Sequence, residues 1–160
     1  MEQENVGLYL GMDISEKYTM ISIYQQHMKE PQTISTIMGS ESYQIPTALA
    51  KKKGVGQWFF GREAKVRVKS GEALGVEDLL DKARTGEEVF LEHEKYAASD
   101  LLAIFLKRVL SLAGSAQAMM PLTKLVICLD KVSVEYMDLF SAIMVKLGIE
   151  TDKLLLINRR

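Results

Sequence analysis

Residues 6–25, VGLYLGMDISEKYTMISIYQ, constrain the fold of this chain more than any other stretch. Residues 6–14 carry an almost unbroken apolar run through Val6, Leu8, Tyr9, Leu10, Met12 and Ile14, which predicts a central strand covered on both faces. One carboxylate, Asp13, stands at its end. Ser15, Glu16 and Lys17 make a short turn, and residues 18–25 return as a second strand in which Met20, Ser22 and Tyr24 alternate with Thr19, Ile21 and Ile23. The pattern predicts a hairpin with an acid at its mouth.

With 160 residues, 48% of them apolar and 26% charged, the chain can hold one domain with a full core. A net charge of −1 gives no global attraction to nucleic acid or anionic membrane, so neither is an expected partner. No run approaches the ~20 apolar residues of a membrane span. The polar, acidic start Met1-Glu2-Gln3-Glu4-Asn5 lacks the marks of a secretory signal. The single Cys128 lies in an apolar run and reads as a reduced, buried core residue, so the expected location is cytoplasmic. His27 and His93 have no second Cys or His nearby, and a zinc site is not expected.

In chain order, residues 26–32 read as a loop into a third strand at residues 33–37, and residues 39–43 as a polar connection. Residues 45–50 are extended around Pro46, residues 51–56 form a basic, solvated turn, and residues 57–61 return as a strand bearing Trp58, Phe59 and Phe60. These aromatics lack the interleaved basic residues of a base-stacking platform and read as packing. Residues 62–69 predict a short helix stopped at Gly71, and residues 74–86 a short apolar piece followed by charge. Residues 87–96 read as an edge strand. Ser99 is a candidate cap for a helix reaching about Ala113, with Leu102, Phe105, Leu106 and Val109 buried and Gly114 as its stop. After a loop at residues 115–121, residues 125–129 predict a buried strand ending at Asp130. Ser133 caps a helix with Tyr136, Phe140, Ile143 and Leu147 on one face, and residues 153–157 form the last strand.

Three strands, an inserted hairpin region, then helix, strand, helix and strand make a ribonuclease-H-like α/β order, in which the later strands run parallel to the first. The expected fold is a mixed five-stranded sheet with helices packed on it. It forms a single lobe over residues 1–160, with residues 39–97 as an inserted hairpin and helix subregion.

The apolar strand followed by Gly11-Met12-Asp13-Ile14, a small turn and a second strand resembles the first phosphate hairpin of the actin-like ATPase superfamily. The closest likeness is to the nucleotide-binding domain of the seventy-kilodalton heat-shock chaperones. Ile45-Pro46-Thr47, then Phe60-Gly61-Arg62-Glu63-Ala64-Lys65, Asp81-Lys82-Ala83-Arg84 and Leu156-Ile157-Asn158 follow in that family's order. The resemblance implies ATP and Mg²⁺ as cofactors. It places Gly11, Asp13, Ser15, Glu16 and Lys17 around the phosphates, Asp13 on the metal in an open cleft, and Lys82 with Asp13 in catalysis. It also covers only about half of such a protein, which implies a second ATPase lobe, a protein partner or a homo-oligomer.

Two positions depart from the family pattern. Glu16 stands where small residues usually close on phosphate, and a carboxylate about 4 Å from phosphate costs about 4 kcal/mol at a surface-like dielectric. Arg159 stands where the family places a glutamate near the metal. Three functions are therefore consistent with the residues. The first is a chaperone-like ATPase lobe, weak or inactive alone. The second is a degenerate lobe kept for protein contacts, and the third a ribonuclease-H-like nuclease using Asp13 and Asp130 on two metal ions.

Overall fold

The period-two alternation of the hairpin strands decides how the central sheet is built. The computed structural model describes residues 7–25, 29–34, 43–114 and 122–159. The elements are β1 (Leu8–Ile14), β2 (Tyr18–Gln25), β3 (Gln32–Thr33), β4 (Ile45–Pro46), β5 (Leu49–Lys52), β6 (Trp58–Phe60) and α1 (Gly61–Lys69). They continue with β7 (Ala73–Val76), α2 (Leu79–Thr85), β8 (Glu88–Leu91), β9 (Glu94–Ala97), α3 (Ala98–Gly114), β10 (Leu122–Leu129), α4 (Val134–Leu147) and β11 (Leu154–Asn158).

The protein is a mixed α/β fold. Its main sheet has the order β11-β10-β1-β2-β3, and β4 also pairs with β2, so the sheet has six strands where five were expected. β1, β10 and β11 are parallel, and β2 is antiparallel to β1, with Asp13 opposite Met20 on one side and Cys128 on the other. Leu8, Leu10, Met12 and Ile14 of β1 join Ile21, Leu125 and Ile127 in one core closed by Leu102, Phe105 and Leu106 of α3 and Phe140 and Ile143 of α4.

The other face differs from the expectation of a doubly covered strand. Tyr9, Gly11 and Asp13 of β1, Met20, Ser22 and Tyr24 of β2, and Val126 and Cys128 of β10 are only half buried. Among the described residues the helices of the core cover one face alone. Cys128 therefore lies on this open face rather than in the core.

The segment between β4 and α3 builds two smaller sheets, β6-β5-β7 and β8-β9. The aromatic cluster packs as expected: Trp58 meets Tyr96 edge to face at 5.4 Å and Phe60 meets Phe105 at 6.2 Å. Four sequence readings change here. The piece at residues 74–86 is a strand and a helix, β7 and α2. The predicted edge strand at 87–96 is the hairpin β8-β9. Lys51, placed in a solvated turn, is buried and pairs with Glu92 at 2.7 Å. Ser99 falls inside α3, which begins at Ala98. Ser133 does cap α4, accepting the Tyr136 N–H at 3.2 Å. The third strand is described only at β3. Residues 35–37, Val6 and the loops at 26–28, 39–42 and 115–121 lie outside the described residues.

Candidate functional site

The C-terminal ends of β1 and β10 bring Asp13 and Asp130 together because the two strands are parallel neighbours, whereas Ser15, Glu16 and Lys17 lie on the β1–β2 turn and Lys82 on α2. Their terminal acids, Asp13 and Asp130, therefore project from one edge of the sheet. Asp13 borders an open groove of about 300 Å³ on the half-covered face, with Gly11, Ser22, Met20, Val126 and Cys128 among its lining. Gly11 leaves the groove close to the Ser22 side chain: a Cβ there would stand 3.0 Å from the Ser22 Oγ, and that hydroxyl would have to shift.

Arg159 fills the edge between the two acids. Its Nε donates to Asp13 Oδ1 at 2.9 Å, and Nη2 donates to the same oxygen and to the Ile14 carbonyl at 2.8 Å. Nη1 donates to Asp130 Oδ1, and Nη2 also makes a 3.4 Å contact with the Cys128 carbonyl. The side chains of Arg159, Asp13 and Asp130 are 27%, 41% and 79% exposed, so Asp13 faces the groove while remaining ion-paired. Burial, reinforced by the Asp13 charge, pushes the Cys128 thiol up from its ordinary value, which keeps it protonated.

The turn after Asp13 is held by its own bonds. The Ser15 amide and hydroxyl both donate to the Tyr18 carbonyl, at 2.9 and 3.0 Å, and the hydroxyl accepts the Tyr18 N–H. Glu16 points to α2. Its two carboxylate oxygens accept the Leu80 and Asp81 N–H groups at 2.9 and 3.0 Å. Asp78, the residue at the start of α2, is left-handed and its side chain makes no cap, so a residue 64 positions earlier satisfies donors that this helix would otherwise leave orphaned. Burial against the helix pushes the Glu16 carboxyl above its ordinary value, against the pull of those two amides, and the charges of Asp78 and Asp81 add to the rise.

Lys17 is exposed on the same turn, and its carbonyl accepts the Thr47 N–H at 2.9 Å, tying the turn to the β4–β5 link. Lys82 lies half-exposed on α2. Arg84, two residues on, pairs with Asp81 and lies over the Tyr136 ring of α4. In the sequence Arg159 stands out only as a departure from a family pattern. Its contact with Asp13 spans 146 positions, and the only sequence signal for it was a cation following a strand end.

The fit to Mg²⁺ and ATP can be tested on this donor set. Mg²⁺ needs carboxylate oxygens open to it and to its waters. Asp13 Oδ1 and Asp130 Oδ1 are both held by the guanidinium, whose charge, at an effective dielectric of about 20 and about 4 Å, cancels about 8 kcal/mol of the attraction that the two carboxylates would offer a divalent ion. Among the described residues no group of three or more His, Cys, Asp or Glu side chains is placed to hold a metal. With Arg159 in place the residues do not fit the ion, and Glu16 already occupies the amides beside the turn.

By fold and site this is a mixed α/β protein with a charged, internally paired cluster at the C-terminal edge of its parallel strands. Residues 30–160 match the model for the C-terminal region of DUF5716, a family of unknown function, and the chain belongs to that family. No curated protein matches it. No helix among the described residues is long and apolar enough to cross a membrane.

Proposed function

We propose that this chain is one lobe of actin-like ATPase architecture, ribonuclease-H-like in topology, that works without nucleotide turnover of its own. The strand order carries this reading: β11-β10-β1-β2-β3, with β2 antiparallel to the rest and acids at the ends of β1 and β10. The charges at that edge favour the degenerate form of the lobe over the hydrolytic one. Arg159 takes up the acids and Glu16 turns away from the phosphate side of the turn. Phosphoryl transfer needs charge on the γ-phosphate met by positioned donors from several sides and water excluded. The hairpin offers one side. A nuclease role is disfavoured by the same pairing, because two-metal chemistry needs both acids free for the ions. On this reading the lobe acts through contact with a second ATPase lobe or another protein.

Titration calorimetry with ATP and Mg²⁺, on protein whose mass is followed by light scattering, tests it. The expected affinity is no better than about millimolar, near −4 kcal/mol. Micromolar binding by a clean monomer would overturn the proposal.

A further inference from the structure

The oxygens around Arg159 form a set. Asp13 Oδ1 and the Ile14 carbonyl come from β1, the Cys128 carbonyl from β10, and Asp130 Oδ1 from the residue just after it. β11 brings no oxygen to this set; it brings the cation. The Arg159 amide donates to the Leu129 carbonyl at 2.6 Å, which holds the end of β11 beside β10 while the side chain reaches across β10 to β1. Two carboxylates and two carbonyls gathered around one guanidinium are the kind of hard oxygens that divalent cations take. The parallel register forces the problem that the cation solves: Asp13 sits opposite Cys128, so Asp130 follows within reach, and two negative charges meet at one sheet edge.

We propose that Arg159 is a built-in cation, occupying an oxygen cage at the ends of β1 and β10 that would otherwise take a hard divalent ion, so that these strand ends close around a side chain in place of a metal. The cage rests on the geometry; only the identity of the displaced ion as magnesium rests on the lobe reading. One guanidinium leaves the two carboxylates with a net charge of −1, so removing it uncovers a site of charge −2 already shaped by the strands. Lysine at the same position would keep a cation there but lose the planar fork that reaches both acids at once.

Manganese binding, measured by paramagnetic resonance together with thermal melts in chelator and in Mn²⁺, tests this on the wild-type chain, Arg159→Ala, Arg159→Lys, and Arg159→Ala combined with Asp13→Asn. Wild type and Arg159→Lys are expected to melt at the same temperature with and without Mn²⁺. Arg159→Ala should melt lower in chelator, recover in Mn²⁺, and bind the ion at least about tenfold more tightly than wild type, a difference of about 1.4 kcal/mol. The added Asp13→Asn change should remove that gain. Mn²⁺ binding by wild type as tight as by Arg159→Ala would overturn the proposal. So would a folded Arg159→Ala that ignores the ion, or one unfolded in chelator that Mn²⁺ does not restore. No nucleotide is present in these samples, so the result is independent of the ATP titration, which tests the lobe reading alone.

Discussion

Glu16 and Glu92 each accept two donors, yet folding moves them in opposite directions. Lys51, and then the Gly54 amide, pull the Glu92 carboxyl below its ordinary value of 4.5. Burial pushes Glu16 above the same value. For Glu92 the unfolded chain binds the proton more readily, so its stabilisation is complete above pH 4.5 and disappears as pH falls through the lowered folded value. For Glu16 the folded chain binds the proton more readily, so its stabilisation is present below pH 4.5 and disappears as pH rises through the raised folded value. Urea unfolding between about pH 3 and pH 7 should show Glu92→Gln flattening the acid-side loss of stability. Glu16→Gln should flatten the decline above pH 4.5 while losing some stability at every pH, because its one amide oxygen cannot replace the two carboxylate oxygens that accept the Leu80 and Asp81 N–H groups. Slope changes of the same sign in the two variants would contradict this assignment. Neither environment was legible in the sequence. Lys51 looked like one of three solvated lysines, and its partner stands 41 positions away.

Helices with local signals formed as read, and those without them did not. α4 has a serine cap, an apolar face and a left-handed Gly148 at its end, and all three are properties of residues a few positions apart. Ser133→Ala should cost about 1 kcal/mol and lower the melting temperature by about 2–4 °C, measured by calorimetry. A variant melting with wild type would show that packing of Phe140 and Ile143 alone holds that end. α2 has seven residues, a left-handed start and no side-chain cap at its N-terminal end, so the left-handed Gly86 at its other end was the main local signal of a helix. The β8-β9 hairpin escaped for a related reason. Its turn places Glu92 at φ 57 followed by His93, where turn chemistry favours Asn or Gly. The pairing of Glu92 with Lys51 and the Gly54 amide accompanies that unfavourable conformation.

At the scale of the molecule the two cores differ in depth. The main cluster unites the parallel strands with α2, α3 and α4, whereas the second gathers Ala50, Phe59, Ala64 and Ala73 beneath β5, β6, β7 and α1. Three of those four residues are alanines, and small side chains remove little apolar area from water. Native-state hydrogen exchange in low urea should find the amides of β5, β6, β7 and α1 opening together at lower free energy than those of β1 and β10. A single opening energy for both regions would show that Leu49 and Val76, which belong to the main core, couple them completely.

The sequence by itself determined the first hairpin, the aromatic strand β6, the helices α1, α3 and α4 and the final parallel strands, because periodicity, caps and stops act over a few residues. Tertiary structure alone decided which sheet face is covered and which charges meet. An apolar run cannot say whether a second layer of helices exists to cover it. Arg159 finds Asp13 across 146 positions, Glu16 finds Leu80 across 64 and Lys51 finds Glu92 across 41. Electrostatic and hydrogen-bond partners depend on separations of a few ångströms in the folded chain, and those separations are set only when the parallel strands and their crossovers have packed.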